Sequence, residues 1–285
     1  MKKIIFISLS GVLLILGGFY FTRPTHYEHQ LSICATFKNE APFLKEWIEY
    51  HRLIGATHFY LYNNGSTDHS LEVLEPYVES GLVEVIDWKN SEHHAIHRKN
   101  EKTLDPYRIG AYNHCLKTKA LKKSQWVAII DLDEFIVPAH GPQSLPSLLE
   151  RESRKKTGSL RLNWKIFGTS HVWELKPGEL MVEKLILKAQ DNHPWNAHVK
   201  SIHRPEAVRF TLVHEAEKLH KNYERKHLPP NSFCIHHYWT GVEKRMLERR
   251  GNYAEIKELS NEFNKCEDTT MLQYVPALKK AFSSE

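Results

Sequence analysis

Short apolar runs alternate with amphipathic segments through the first half of the chain. The runs predict buried strands, and the segments between them carry apolar residues at helical spacing. We therefore expect an α/β fold built on a mainly parallel, doubly wound sheet. The predicted strands cover residues 31–36, 58–62, 82–86 and 126–130, and the predicted helices cover residues 42–55, 71–78 and 108–121.

The second half of the chain has a less regular pattern. Residues 88–107 are polar, rich in histidine and without periodicity, which is typical of a functional loop. A basic helix is predicted over residues 242–261. Further strands are predicted at residues 159–167, 180–189, 208–213 and 233–238.

The N-terminus differs from the rest of the chain. Residues 4–21 are uncharged and nearly all apolar, which is just long enough for a helix that crosses a bilayer. Because no small-residue cleavage site follows, we interpret the segment as a transmembrane signal anchor, with a cleaved signal peptide as the alternative. The predicted organisation is an anchor at 1–23, a tether at 24–30, a globular domain at 31–265 with halves 31–140 and 141–265, and a tail at 266–285.

The composition indicates a globular protein and excludes several functional classes. The chain is 41% hydrophobic and 26% charged, with a formal net charge of +5. Its basic residues are too dispersed for a nucleic-acid groove, so we expect no nucleic-acid partner. The four cysteines lie far apart without C-x-x-C spacing, which predicts reduced thiols rather than a disulfide framework or a zinc site.

Acidic side chains follow the strand predicted at residues 126–130. Asp131, Asp133 and Glu134 lie next to an apolar run, where a charge must be paired, hydrogen-bonded or metal-bound. Two aspartates separated by one residue can direct their oxygens at one hard cation. An isolated D-x-D motif is common, however, and a solvated strand end or a helix cap explains it as well.

Polar residues also end the other predicted strands, and this strengthens the hypothesis of a metal site. Ligands bind at the carboxyl ends of parallel strands, where these side chains converge. They are Thr36, Lys38 and Glu40 after the first strand, Asn63 and Asp68 after the second, and Asp87 after the third.

Seven short motifs follow one another along the chain. They lie at residues 38–40 with 46–51, 62–68, 131–135 and 164–170, at Lys200 with Arg204-Pro205, at Val213-His214, and at residues 236–239. They span about residues 31–250, and their order is more specific than any one of them. Together they resemble glycosyltransferase family 92, and the resemblance implies the GT-A fold of nucleotide-diphospho-sugar transferases.

The resemblance also implies a reaction. A sugar would pass, with inversion, from a nucleotide-diphosphate donor such as a UDP-sugar to a hydroxyl of a glycan, lipid or polysaccharide acceptor. Mn²⁺ or Mg²⁺ would bridge the donor diphosphate to Asp131 and Asp133. Glu134 would be a structural partner rather than a third ligand. The nucleotide pocket would comprise Thr36, Lys38, Glu40, Asn63, Asp68 and Asp131.

The C-terminal half would complete this site. A further metal ligand is expected from His236 or His237, in preference to His214. Inversion requires a carboxylate base, for which Asp191 and Glu183 are the candidates and Glu174 is an alternative. His93, His94 and His97 are interpreted as part of a donor-side loop rather than a separate metal cluster.

Two other functions are compatible with the same pattern. A nucleotidyltransferase would use a glycine-rich basic loop after the first strand, and residues 36–40 contain no glycine. A non-catalytic glycan-binding protein of the same fold would have no need of both Asp131 and Asp133.

The predicted membrane topology contains a conflict. Lys2 and Lys3 favour a cytoplasmic N-terminus, which would place the globular domain across the membrane. That side of the membrane suits a Golgi lumen, which contains nucleotide sugars, but not a bacterial periplasm, which lacks them. In a Golgi protein, however, the sequon Asn64-Gly65-Ser66 would place a harmful glycan in the presumed nucleotide pocket. Against the charge bias, we therefore favour a bacterial inner-membrane protein with a cytoplasmic domain, with a Golgi protein as the alternative.

Overall fold

The computed structural model describes residues 26–89, 105–139 and 144–283. The strands are β1 (His29–Phe37), β2 (His58–Asn63), β3 (Val83–Asp87), β4 (Ser124–Ile129), β5 (Glu134–Pro138), β6 (Thr157–Ile166), β7 (Leu187–Lys188), β8 (Val199–His203), β9 (Val208–Thr211), β10 (Ala216–Leu219), β11 (Glu224–His227), β12 (Phe233–His237) and β13 (Cys266–Glu267). The helices are α1 (Ala41–Leu53), α2 (Ser70–Glu79), α3 (Pro106–His114), α4 (Leu145–Ser153), α5 (Met181–Lys184), α6 (Glu243–Arg250), α7 (Tyr253–Phe263) and α8 (Val275–Ser283).

A mixed sheet of nine strands forms the centre of the described structure, in the order β3-β2-β1-β4-β8-β6-β12-β5, with β11 paired to β6. The four strands of the first half are parallel, which confirms the predicted strand–helix alternation there. Strand β8 is antiparallel to both β4 and β6, and β5 is antiparallel to β12. Strands β11 and β12 are both parallel to β6. The sheet is therefore mixed, and the prediction of mainly parallel pairing fails at the three antiparallel pairs, where neighbouring strands run in opposite directions.

The sheet curls, because only four residues join β4 to β5. Three strands separate these two in the sheet, which would place them about 19 Å apart if the sheet were flat. The linking residues, 130–133, include a turn and cannot span that distance. Curling brings the carboxyl end of β4 and the start of β5 together at one edge.

Two apolar cores cover the faces of the parallel strands. Along β1, Leu31, Ile33 and Ala35 pack toward α1, whereas Cys34 packs toward α3 on the other face. This alternation follows from the two-residue period of a strand. All four cysteines are free thiols, as predicted.

Helix α1 hydrogen-bonds to β5, the last strand of the sheet. Trp47 Nε1 donates to Glu134 O (2.8 Å), and Tyr50 Oη donates to Ile136 O (2.9 Å). His51 Nε2 accepts from Ile136 N (3.3 Å), because burial lowers the pKa of His51 to about 3 and keeps its ring neutral. These side chains satisfy backbone groups that an edge strand leaves unpaired. The motif at residues 46–51 therefore holds the start of β5 in place.

The structure corrects two predicted elements of the second half. Residues 180–189 form a helical turn, α5, and the two-residue strand β7 instead of one strand. The buried Glu46 carboxylate accepts from Met181 N and Val182 N (2.8 Å each), and so caps that turn. The helix predicted at 242–261 is divided at Gly251, whose φ of +68° ends α6.

The prediction of a single-pass membrane protein is not supported, and we withdraw it. No helix within the described ranges has the length and apolar character needed to span a bilayer. The predicted anchor at residues 1–23 lies outside those ranges. His93, His94 and His97 also lie outside them.

Candidate active site

A cavity of about 490 Å³ opens at the edge of the sheet where the parallel strands end. Residues of both halves of the chain line it, and they include aromatic side chains, carboxylates and four cations. The four cations are Lys38, Arg108, Arg245 and Arg249. A cavity of this size with convergent polar groups is the usual form of a small-molecule site.

Asp131 is held by three donors at the end of β4. Its carboxylate accepts from Lys200 Nζ (2.8 Å), Arg108 Nη1 (3.2 Å) and Tyr112 Oη (3.1 Å). Burial alone would raise the pKa of Asp131, but Lys200 and Arg108 hold it well below its ordinary value. Asp131 is therefore ionised, and its charge is neutralised within the protein.

Asp133 faces the cavity beside His237. The Asp133 Oδ1 to His237 Nε2 distance is 3.5 Å, and the Asp133 side chain is 27% exposed. Burial opposes ionisation of Asp133, but His237 lowers the pKa of its carboxyl. Burial also opposes protonation of His237, yet the adjacent carboxylates, Asp133 first among them, raise its pKa. A carboxylate oxygen and an imidazole nitrogen thus meet on the cavity wall.

Glu134 lies beneath this wall and is fully buried. Its Oε2 accepts from Asp131 N (2.9 Å) and lies 3.3 Å from Lys200 Nζ. Burial raises the pKa of Glu134 to about 7, although Lys200 opposes the shift. Lys200 is also fully buried, and Asp131 and Glu134 overcome the effect of burial and raise its pKa. One ammonium therefore joins two of the three carboxylates of the motif.

Glu40 joins the two halves of the chain across the cavity. Both of its carboxylate oxygens lie 2.7 Å from Arg245 Nη2, on helix α6. Burial nevertheless raises the pKa of Glu40 above its ordinary value. Glu40, in the half at residues 31–140, therefore positions an arginine of the other half.

The remaining nucleotide-pocket candidates have two kinds of placement. Thr36 and Lys38 line the cavity directly. Asn63 and Asp68 are not among its lining residues and instead organise turns. Asn63 Oδ1 accepts from Ser66 N (2.9 Å), and the Asp68 carboxylate accepts from backbone N–H groups at the starts of α1 and α2.

Three candidates from the C-terminal half are not among the residues that line the cavity. Asp191 is 83% exposed and pairs with Lys188, and Glu183 pairs with Lys279 (2.7 Å). His236 is buried on the opposite face of β12 from His237, because successive residues of a strand alternate. Of the two histidines favoured as metal ligands, the structure brings only His237 to the cavity.

A family model for glycosyltransferase family 92 matches residues 29–279. The chain belongs to glycosyltransferase family 92. The match includes both halves of the cavity, from Thr36 to Arg249. The resemblance of the sequence motifs to this family is thereby confirmed.

Curated relatives of the family 92 chain come from plants. A family 92 protein of Ricinus communis is 27% identical over 262 residues, which cover 86% of this chain and 42% of the relative. One from Oryza sativa subsp. japonica is 29% identical over 214 residues (74% and 33%). The galactan beta-1,4-galactosyltransferase GALS2 of Arabidopsis thaliana is 35% identical over 122 residues (41% and 22%). The chain thus spans well under half the length of these relatives.

Similar solved structures are more distant. S. aureus TarS in complex with UDP-GlcNAc is 13% identical with a TM-score of 0.41, covering 73% of this chain and 58% of that chain. Glucosyl-3-phosphoglycerate synthase from Mycobacterium tuberculosis, in complex with Mn²⁺, UDP and glucosyl-3-phosphoglycerate, is 16% identical with a TM-score of 0.33 (63% and 58%). With both TM-scores below 0.5, neither structure supports an inference about this chain.

The cavity of this family 92 protein is lined by three arginines that were not predicted from the sequence: Arg108, Arg245 and Arg249. Arg108 and Tyr112 are one helical turn apart on α3 and reach the same carboxylate, which their i, i+4 spacing permits. Arg245 and Arg249 show the same spacing on α6 and both line the cavity. A basic helical stripe was visible at residues 242–261, but nothing in the sequence indicated which element it faces.

Proposed function

We propose that the protein is a metal-assisted glycosyltransferase of the GT-A type. It moves a sugar from a nucleoside-diphosphate donor to a hydroxyl of a glycan, lipid-linked or polysaccharide acceptor, with inversion. The observation that carries the proposal is the juxtaposition of Asp133 and His237 with a rim of cations in one cavity of a family 92 chain. The galactosyltransferase name of one relative is consistent with it.

The residues on the cavity wall suit a divalent cation that is shared with a diphosphate. No cluster of three or more acidic, histidine or cysteine side chains arranged to hold a metal occurs within the described ranges. Mg²⁺ and Mn²⁺ need no such cage, because water and substrate phosphates complete their coordination. Asp133 and His237 would hold the ion, and Asp131 would support them. When bound, the ion supplies charge neutralisation to the departing diphosphate.

The protein's own cations would act on the same diphosphate. Lys38 and Arg249 are exposed on the cavity rim, one from each half of the chain. Arg245 is oriented by its ion pair with Glu40. Donors fixed before the ligand arrives stabilise developing charge without reorganisation. We therefore assign these three side chains to binding the nucleoside diphosphate and its leaving charge.

The proposal does not place the catalytic base on Asp191 or Glu183. Both pair with lysines and neither is among the residues that line the cavity. A base has to come within hydrogen-bond reach of the acceptor hydroxyl. Trp164 and Trp239, which line the C-terminal side of the cavity, provide apolar faces on which a sugar ring can stack.

A donor screen tests the proposed function. Nucleotide sugars are added to the protein with Mn²⁺, and the melting temperature and the released products are measured. We expect at least one donor to raise the melting temperature and to release nucleoside diphosphate, which distinguishes sugar transfer from the pyrophosphate release of a nucleotidyltransferase. No shift with any nucleotide sugar, with Mn²⁺ present, would overturn the proposal.

The matched variants are Asp133→Ala and Glu152→Gln. Asp133→Ala removes the cavity carboxylate that lies beside His237 and should abolish the donor-dependent shift while the protein stays folded. Glu152 is a buried glutamate that pairs with Lys155 and Lys226; it lies on α4 and is not among the residues that line the cavity. Glu152→Gln should retain the shift.

A further inference from the structure

The two carboxylate oxygens of Glu134 differ: among the described residues, Oε2 has a hydrogen-bond partner and Oε1 has none. Oε2 accepts from Asp131 N and faces Lys200 Nζ. Oε1 is buried and has no hydrogen-bond partner among the described residues. A buried, unpaired carboxylate oxygen is costly, so its surroundings indicate what it is there to bind.

The atom that faces Oε1 is also without a hydrogen bond. His237 Nδ1 is buried and unpaired within the described ranges, and it lies 3.7 Å from Glu134 Oε1. A bridging water would need roughly 4.6 Å, since two hydrogen bonds of about 2.8 Å meet at a roughly tetrahedral angle. The gap is therefore too short for water and slightly too long for a direct bond. A small movement of either side chain would close it.

We propose that Glu134 is a positioning residue, which fixes His237 with its proton on Nδ1 and turns Nε2 toward Asp133 and the cavity. The inference rests on the proposed function, because this tautomer serves to leave Nε2 available as a ligand of the divalent cation. The ring nitrogen that binds a ligand is set by the hydrogen bond of the other nitrogen. The proposal extends the site by one residue behind the cavity wall.

Three contacts prevent the Glu134 carboxylate from turning away. Lys200 and the Asp131 backbone N–H hold Oε2 on one side. Trp47 Nε1 donates to the Glu134 carbonyl and holds the main chain. Oε1 is therefore kept on the side of His237. Together these contacts give a physical reason for the glutamate that directly follows the D-x-D pair.

Replacing the Glu134 carboxylate with the neutral amide of glutamine should change the tautomer of His237. In Glu134→Gln, the amide oxygen has to replace Oε2, because the Asp131 N–H and Lys200 Nζ are both donors. The NH₂ group then faces His237 Nδ1 and requires that nitrogen to accept. The proton of a neutral His237 should consequently move from Nδ1 to Nε2, where it blocks a ligand. Metal-dependent binding should weaken about 10- to 100-fold, as for other residues that orient metal-binding histidines.

The primary experiment reads the tautomer of His237 by NMR. Protein labelled with ¹⁵N-histidine is recorded at a pH at which the ring is neutral, and the His237 signal is assigned by its loss in His237→Asn. We expect Nδ1 to carry the proton in the unliganded wild-type protein. A proton on Nε2 there would overturn the proposal, whether or not Glu134→Gln folds and whether or not the protein binds a nucleotide.

The second measurement compares the affinities of variants for UDP with Mg²⁺ by calorimetry. Glu134→Gln should exchange the His237 tautomer and raise the Kd about 10- to 100-fold, whereas Glu152→Gln should change neither. His214 lies on the same cavity and interacts with Val199 O through Nδ1, so its signal should be unaltered in both variants. An unchanged His237 tautomer in folded Glu134→Gln would contradict the inference. A wild-type protein with the Nδ1 tautomer that does not bind UDP would contradict the proposed function instead.

Discussion

Lys200 is the residue on which the electrostatics of the cavity depend. Its ammonium is fully buried and lies 2.8 Å from Asp131 and 3.3 Å from Glu134. Lys200→Met leaves the buried Glu134 carboxylate and the partly buried Asp131 carboxylate without their shared cation. Breaking a buried pair in this way costs about 3–5 kcal/mol, so we expect the free energy of unfolding to fall by that amount.

Chemical denaturation measures the effect of Lys200→Met, and Lys226→Met is the matched control. Lys226 also pairs with a fully buried glutamate, Glu152, but its own side chain is 41% exposed. Its loss should cost roughly 1 kcal/mol or less, because solvent screens the pair and Lys155 remains. Equal losses in the two variants would show that Lys200 is not the central buried cation.

Glu152 gives a pH-dependent contribution to stability away from the site. Although burial opposes ionisation, Lys226, Lys155 and Thr157 lower the pKa of Glu152 from 4.5 to about 2. The unfolded chain therefore takes up a proton at a pH at which the folded protein does not. The stabilisation is complete above pH 4.5 and is lost as the pH falls toward about 2.

Glu152→Gln should remove that dependence. We expect the wild-type free energy of unfolding to decline by roughly 2 kcal/mol more than that of the variant between pH 5 and pH 2.5, after allowance for solvent around the lysines. Urea unfolding over a pH series measures the difference. Parallel pH profiles of the two proteins would refute the assignment.

At the scale of elements, α1 stabilises the edge of the sheet next to the acidic turn, residues 131–134. Tyr50→Phe removes the donor to Ile136 O and leaves a buried carbonyl unpaired. We expect a loss of about 1–3 kcal/mol and faster hydrogen exchange of β5 amides than of β1 amides. Denaturation and exchange mass spectrometry measure these effects. Unchanged exchange in β5 would show that α1 does not hold that edge.

The sequence predicts those elements whose determinants lie within the element or next to it in the chain. Strands β1 to β4 are of this kind, because their apolar runs and the polar residues at their ends lie together in the sequence. The turn α5 could not be recognised in this way, because the carboxylate that caps it, Glu46, lies 135 residues earlier in the chain. The start of β5 directly after the acidic turn was missed for the same reason, since its partners are β12 and α1.

At the scale of the whole molecule, the cavity depends on curling of the sheet. Curling brings His237 of β12 against the turn that follows β4, although more than 100 residues separate Asp133 and His237 in the chain. The position of Asp133 after a predicted buried strand made it a candidate, and the family resemblance made His237 one. They could not distinguish His237 from His236, because the choice depends on which face of β12 is turned toward β4.

The most direct test of the central claim is a calorimetric titration with UDP, with and without Mn²⁺. If Asp133 and His237 hold the ion between the protein and the diphosphate, wild-type protein should bind UDP at least about 10-fold more tightly with Mn²⁺ than without it. Asp133→Asn should lose that difference and should retain only the binding contributed by the rim cations. Equal affinity of the wild-type protein with and without Mn²⁺, or an unchanged Mn²⁺ effect in folded Asp133→Asn, would contradict the account.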